Sequence, residues 1–172
     1  MRADRDPIHQ AHQQWVRHGW AEAADGMALV TSIVRVNQLL AERIDAVLRP
    51  MELTFARYEV LRLLSFAAGG EMAMSRMGSL LQVHPTSVTS LVERLVRQGY
   101  VERVRSNSDG RVVLASLTVT GRTAVEEATS ALNAEVFARP GLPPEQVREL
   151  TKLLGLMRAD GGDQVQPPPI EE

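Results

Sequence analysis

The segment from residue 84 to residue 99 combines an apolar stripe with a face of short hydroxyl side chains. Its apolar positions recur at steps of three and four, and they are Val88, Leu91, Val92, Leu95 and Val96. This spacing predicts an amphipathic helix that begins at Pro85 after a capping His84 and ends before Gly99. The opposite side carries hydrogen-bonding groups, namely Thr86, Ser87, Thr89, Ser90, Arg94 and Arg97.

This polar face has two readings. Hydroxyls both donate and accept hydrogen bonds, their shortness permits close approach to a base edge, and a helix N-terminus attracts phosphate. The face therefore has the chemistry needed to contact duplex DNA. The alternative is the solvated polar side of an ordinary helix.

A β-hairpin is predicted directly after this helix. Residues 100–105 and 111–117 alternate with period two, and the SNSDG between them is a strong turn signal. Arginines flank or face the turn, and they are Arg103, Arg105 and Arg111. Arginine on a projecting loop can enter the minor groove, where the potential is most negative, and Asp109 is placed to hold Arg111 or to stabilise the turn. The alternative is an exposed hairpin whose charges serve solubility.

Helical patterns surround these two elements and would position them. The other predicted helices span residues 7–22, 27–48, 55–67 after a capping Thr54, 75–81, from Thr118 to about 138, and 145–159. The order of helices, a tight helix pair, a hairpin and further helices predicts a mainly α fold with a small β-hairpin wing. This is a winged helix-turn-helix arrangement.

The charge is distributed unevenly along the 172 residues. The formal net charge is -2, but residues 1–71 carry -1, residues 72–111 carry +3 and residues 112–172 carry -4. The only basic block is therefore the one that contains the hydroxyl-rich helix and the hairpin. An acidic average would argue against a nucleic-acid partner, whereas this division favours one.

Several classes of function are disfavoured by what the sequence lacks. The absence of cysteine excludes disulfides, thiolate metal sites and thiol redox sensing. No apolar run reaches the ~20 residues of a membrane span and no signal peptide is recognisable, so a cytoplasmic protein without membrane contact is expected. No nucleophile elbow, phosphate loop or zinc-protease motif is present, so neither an enzyme nor a cofactor is expected. His9, His12 and His18 cluster on the N-terminal helix, and the i, i+3 spacing of His9 and His12 could hold a metal. The helix lacks a convincing third ligand, which favours a surface cluster and no metal.

The sequence resembles the MarR family of winged helix repressors. Residues 109–121, DGRVVLASLTVTG, match the family signature D-x-R-x-x-x-x-x-L-T-x-x-G at Asp109, Arg111, Leu117, Thr118 and Gly121. Leu53-Thr54 followed by Tyr58-Glu59-Val60-Leu61 is similar to the second-helix pattern of the family, and residues 84–103 are similar to its recognition helix and wing. The resemblance covers about residues 27–158.

The resemblance implies a homodimer that binds double-stranded DNA at a pseudo-palindromic operator. The recognition helix would enter the major groove through Pro85, Thr86, Ser87, Thr89 and Ser90, and Arg111, supported by Asp109, would enter the minor groove. Arg94 would contact phosphate or a base, and Ser75 would contact phosphate near the preceding helix. Arg103 and Arg105, which lie on the hairpin, are also expected among the DNA-binding residues. The expected function is a ligand-responsive repressor, with an architectural DNA-binding protein or a helical interaction scaffold as the alternative.

The resemblance also implies a division of the chain and a small aromatic, anionic effector. We expect an extension helix at 1–26, a dimerisation helix at 27–50, the winged domain at 51–117 and C-terminal dimerisation helices at 118–159. The Gly- and Pro-rich composition of the remaining residues predicts a disordered tail at 160–172. The effector would lie between the helical dimerisation region and the DNA-binding lobe. The residues expected to line its pocket are Trp20, Phe55, Arg57, Tyr58 and Arg62, and ordinary core and surface roles for them are the alternative.

Overall fold

Seven α-helices and three short strands make up the part of the chain that the structure describes. A computed structural model of the protein describes residues 6–105 and 112–166. The helices are α1 (Pro7–Arg17), α2 (Ala21–Leu48), α3 (Phe55–Phe66), α4 (Met74–Leu81), α5 (Pro85–Arg97), α6 (Val119–Leu132) and α7 (Pro144–Asp160). Two 3-10 turns, Arg49–Met51 and Ala68–Gly70, and one π-helical turn, Asn133–Phe137, connect them. None of the described helices is long and apolar enough to cross a membrane.

The chain divides into two compact units, Met1–Leu132 and Asn133–Glu172. All the elements that form the candidate site belong to the first unit. The second unit contains the π-helical turn and α7. All the side chains of α7 are at least partly accessible in the single chain.

The wing is a three-stranded antiparallel sheet. It consists of β1 (Glu71–Ala73), β2 (Val101–Arg105) and β3 (Val113–Leu117) in the spatial order β1-β3-β2. Ala115 of β3 lies opposite Met72 on one side and Arg103 on the other. The sequence predicts only the two longer strands, because three residues are too short to show an alternating pattern. The predicted turn at 106–110, with Asp109 and the following Arg111, lies outside the described residues.

The core of the first unit is formed by the apolar faces of α3, α4, α5 and α6 together with the sheet. Its fully buried side chains include Leu61, Leu64, Met77, Val88, Val92, Leu95, Val101, Val125 and Leu132. The predicted stripe on α5 is thus buried at Val88, Val92 and Leu95, but Val96 is 39% exposed. Val96 lies at the edge of the stripe, on the side where Glu93 and Arg103 border a surface pocket.

The first predicted helix boundary is wrong. The chain breaks at residues 18–20 rather than after residue 22, and α2 begins at Ala21, six residues before the predicted start. Gly19 has φ +85°, a left-handed conformation that side-chain-bearing residues avoid, so the turn forms at the glycine. Helix α1 then packs back on α2, where His12 Nε2 lies 2.8 Å from Asp25 Oδ1.

Local side-chain caps fix where α3, α5 and α6 begin. The Thr54 hydroxyl accepts from the N–H of Arg57, and the Nδ1 of His84 accepts from the N–H of Thr86, as the sequence predicts. Thr118 Oγ1 accepts from the N–H of Gly121 at 2.9 Å and donates to the carbonyl of Gly99 at 2.8 Å. The start of α6 is therefore tied to the end of α5.

Gly121 is required by this junction. A Cβ at position 121 would overlap the carbonyl oxygen of Tyr100 and lie 2.9 Å from Leu117 Cδ1. Because a backbone carbonyl cannot move aside as a flexible side chain can, we expect Gly121→Ala to lower the free energy of unfolding by about 2 kcal/mol or more, measured by urea denaturation. The matched control is Gly26→Ala in α2, where nothing lies within 4 Å of the added methyl group. We expect it to be neutral or stabilising by ~0.5–1 kcal/mol. Equal effects at the two sites would contradict the close approach.

Candidate nucleic-acid interface

The N-terminal half of α5 presents an open face of small polar side chains. Pro85, Thr86, Ser87, Thr89 and Ser90 are all exposed. Thr89 Oγ1 donates to the carbonyl of Pro85 at 3.2 Å, so this hydroxyl keeps only its acceptor capacity. Within the described residues, the hydroxyls of Ser87 and Ser90 make no hydrogen bond. The structure thus places the predicted hydroxyl-bearing side chains of α5 together on one accessible surface.

Ser75 lies at the start of α4, the helix that precedes α5 in the helix-turn-helix. It is exposed, and no side chain in the described part of the chain caps this helix. The free N–H groups of its first turn and the Ser75 hydroxyl can donate hydrogen bonds to a phosphate oxygen.

The predicted wing arginines differ in their surroundings. Arg103 Nη2 lies 3.4 Å from Glu93 Oε1, a surface ion pair that joins β2 to α5. Arg105, at the end of β2, is exposed and has no partner among the described residues. Surface pairs of this kind contribute ~0–1 kcal/mol, so Arg103 can leave Glu93 at little cost.

Arg94 lies apart from the hydroxyl face, in a cleft with three other arginines. The cleft has a volume of about 590 Å³ and is lined by Asp45, Arg49, Glu52, Leu53, Thr54, Arg57, Arg94, Arg97 and Gln98. The sequence predicts Arg94 at the DNA surface and Arg57 in an effector pocket, whereas in the structure both line one cavity. Arg49, Glu52 and Gln98 were missed, because no local pattern connects residue 49 with residue 98.

The five residues predicted to bind an effector do not line this cleft together. It contains Arg57 and none of the other four. Trp20 is 56% exposed and contacts Trp15 edge-on, with ring centroids 5.5 Å apart. Phe55 stacks on Tyr58 with centroids 5.9 Å apart, and Tyr58 is buried.

Arg62 connects α3 to α6. Its Nη1 donates to Glu126 Oε1 at 3.0 Å, its Nη2 donates to the carbonyl of Val125 at 3.1 Å, and its Nε donates to Thr129 Oγ1 at 3.1 Å. The guanidinium also lies 5.2 Å from the centroid of Phe66. These contacts occupy a side chain that is only 15% exposed, so in this structure Arg62 holds two helices together.

The histidines of the N-terminal segment make contacts within the chain. His12 pairs with Asp25 of α2, His9 lies 2.9 Å from Gln13 Nε2, and His18 lies 2.8 Å from the carbonyl of Gln14. Over residues 6–105 and 112–166, no group of three or more histidines and carboxylates is placed to hold a metal ion.

A helix-turn-helix followed by an arginine-bearing antiparallel wing defines the class of winged helix-turn-helix DNA-binding proteins. A family model described as the MarR family matches residues 52–112. The HTH-type transcriptional repressor Rv2887 of Mycobacterium tuberculosis is 31% identical over 140 residues, which cover 80% of this chain and 98% of that relative. The chain therefore belongs to the MarR family, whose members are transcriptional regulators rather than enzymes.

Solved structures agree with this assignment. Sco5413, a MarR family transcriptional regulator from Streptomyces coelicolor, is 43% identical with a TM-score of 0.73, and the match covers 83% of this chain and 99% of that one. A cysteine-to-serine mutant of MarR from E. coli complexed with operator DNA is 26% identical with a TM-score of 0.70, covering 78% and 96%. The family and the fold class predicted from the sequence are thus confirmed.

The cap at His84 gives a prediction about α5, the second helix of the helix-turn-helix. Because Nδ1 of His84 satisfies the N–H of Thr86 at 3.3 Å, we expect His84→Ala to lower the free energy of unfolding by about 1 kcal/mol in urea denaturation. His84→Asn is the matched control, since an asparagine side chain also caps a helix and should retain the wild-type stability. An alanine variant as stable as the asparagine variant would show that the cap contributes nothing.

The Arg62 contacts give a prediction about pH. The hydrogen bond from Arg62, together with its charge, lowers the pKa of the Glu126 carboxyl. A lowered pKa in the folded state stabilises the protein above the unfolded pKa of about 4.5, and this stabilisation is lost as the pH falls through the folded value. We therefore expect wild type to be more stable than Glu126→Gln at neutral pH and to lose that advantage below about pH 4.5.

The measurement is chemical denaturation of both proteins at neutral and acidic pH. Glu127→Gln is the matched control, because Glu127 is exposed and makes no ion pair within the described residues. A stability difference between wild type and Glu126→Gln that stays constant with pH would contradict the pairing.

Proposed function

We propose that this protein is a ligand-responsive repressor that binds, as a homodimer, to an inverted repeat in duplex DNA. The observation that carries the proposal is the open hydroxyl face of α5 beside the wing. Thr86, Ser87 and Ser90 are exposed at the N-terminal end of the helix, the end that helix-turn-helix proteins present to base edges in the major groove.

The contacts to DNA would divide between two grooves. Thr86, Ser87, Thr89 and Ser90 would contact the major groove, with Pro85 allowing the helix end to approach closely. Ser75 would donate to a phosphate from the start of α4. Arg105 and, at the wing tip, Arg111 would reach the minor groove, and Asp109 would orient Arg111. Arg103 would add positive charge at the wing base after separating from Glu93.

Exposed apolar side chains support a second copy as partner. On α2, the side chains of Leu29, Val30, Val34, Val36 and Leu39 are exposed in the single chain. In the second compact unit, Leu150, Leu153, Leu154, Leu156 and Met157 of α7 are exposed as well. Apolar surface of this extent is typical of a protein interface, and covering it by two-fold pairing would place two copies of α5 on one duplex. Half-sites would then lie about one helical turn apart.

Regulation would act through the spacing of the two reading helices. An effector weakens DNA binding only if it binds more tightly to a protein whose helices are incorrectly spaced for the operator. A small anion is the effector class that the arginines near α3 and α5 favour.

The direct test is DNA binding by fluorescence anisotropy. We expect the promoter region beside the gene of this protein to bind ~1,000-fold or more tightly than a scrambled duplex at moderate salt. Arg111→Ala should weaken binding tenfold or more and lower the slope of log affinity against log salt by about two, because the homodimer carries two copies of Arg111. Lys152→Ala in α7 is the matched control, since it removes one positive charge outside the reading surface and should leave affinity unchanged.

Three outcomes would contradict parts of the proposal. If Arg111→Ala behaves like Lys152→Ala, the wing does not contact DNA. If all duplexes bind equally, the protein is an architectural DNA-binding protein. If none binds, the exposed helices serve a protein-interaction scaffold.

A further inference from the structure

The arginine cleft lies at the end of α5 that is distant from the hydroxyl face. Three parts of the fold form it: the C-terminal end of α2 with the 3-10 turn, the N-terminal end of α3, and the last turn of α5. Its floor is Leu53, which is 4% exposed, and its rim carries the charged groups. Arg97 lies twelve residues after Pro85, about 18 Å further along the helix.

The cleft has an excess of positive charge that the protein does not neutralise. Arg49, Arg57, Arg94 and Arg97 line it together with Asp45 and Glu52, which leaves a formal charge of +2. Within the described residues, the guanidinium groups of Arg49, Arg94 and Arg97 make no ion pair and no hydrogen bond. Three guanidinium groups that line one cavity without carboxylate partners are suited to binding an external anion.

The fourth arginine is held in place by the wall of the cleft. Arg57 Nη1 donates to Gln98 Oε1 at 2.9 Å, and Gln98 Nε2 donates to the carbonyl of Glu52 at 3.0 Å. Arg57 Nε also donates to the capping Thr54 hydroxyl at 3.3 Å. This chain of contacts fixes α3 against the end of α5, so part of the binding geometry exists before any ligand arrives.

The lining also defines the class of ligand. No aromatic side chain of the described residues borders the cleft, so it lacks the stacking surface that an aromatic anion would use. An anion of charge -2 would neutralise the excess, and phosphate oxygens match the paired N–H groups of arginine. We propose that this cleft is a binding site for a phosphate-bearing dianion. A regulatory role for this site rests on the proposed function as a DNA-binding repressor.

The phosphate has two possible sources. Arg94 and Arg97 belong to the reading helix, so a free phosphorylated molecule bound there would place negative charge on the element that approaches DNA. Alternatively, the backbone of the operator itself would supply the phosphates, and the cleft would extend the DNA interface beyond the hydroxyl face and the wing. Both sources require the same guanidinium groups.

The first experiment measures phosphate binding without DNA. Inorganic phosphate is titrated by calorimetry into the full-length protein at about pH 8, where phosphate is a dianion, with ionic strength held constant by chloride. We expect saturable binding that weakens at least tenfold in the double variant Arg49→Gln/Arg97→Gln. The charge-matched control is Arg148→Gln/Lys152→Gln in α7, which should bind phosphate as wild type does.

The second experiment identifies the source through DNA binding. If the operator backbone occupies the cleft, Arg49→Gln/Arg97→Gln should weaken DNA binding tenfold or more and lower the salt slope by about four, because the homodimer loses two arginines in each protomer. If a free anion occupies the cleft, wild type and the double variant should bind DNA equally well in the absence of phosphate. Added phosphate should then weaken DNA binding by wild type but not by the double variant.

The proposal is overturned if the double variant matches wild type both in phosphate binding and in the affinity and salt slope for DNA. Failure of the proposed function looks different, because a protein that binds no duplex specifically would still bind phosphate in an arginine-dependent manner. Thermal unfolding of both double variants confirms that each is folded before its binding is compared.

Discussion

The contact between Gly121 and the backbone of Tyr100 is the constraint on which the placement of α5 and the wing depends. At this point α5 has just ended, β2 is about to begin, and α6 starts only a few residues beyond β3. The N–H of Thr118 donates to the carbonyl of Tyr100 at 3.1 Å, while the Thr118 hydroxyl joins Gly99 to Gly121. One set of hydrogen bonds around Gly121, a residue without a side chain, therefore fixes the end of α5, the base of the wing and the first turn of α6. A physical reason for the L-T-x-x-G part of the family signature follows: threonine supplies both a donor and an acceptor, and glycine permits the approach.

How much of the fold could be predicted depended on how local its determinants are. The caps at Thr54 and His84 were predictable, because a cap involves residues only two or three positions apart. The reading helix was predictable because its buried positions repeat along one element. Strand β1 was missed because three residues carry no periodicity, and its pairing with β3 depends on residues more than forty positions away.

The candidate site was predictable to a lesser degree for the same reason. Short hydroxyls on one helix and arginines on one hairpin can be recognised along the chain. The position of Arg62 cannot, since its partners lie on α6, more than sixty positions later in the sequence. Charge counted by segment indicated a basic block at 72–111, yet the cleft also takes arginines from positions 49 and 57, outside that block. Folding, rather than composition, concentrates the positive charge there.

Helix α1 has a different status from the rest of the first unit. It has eleven residues and no fully buried side chain, and its half-buried His12 pairs with the exposed Asp25 of α2. A helix of this length is marginal in water by itself, so its order depends on the surface that α2 offers. A substitution or a partner that changes the α2 surface would therefore change the order of α1 as well, without unfolding the core.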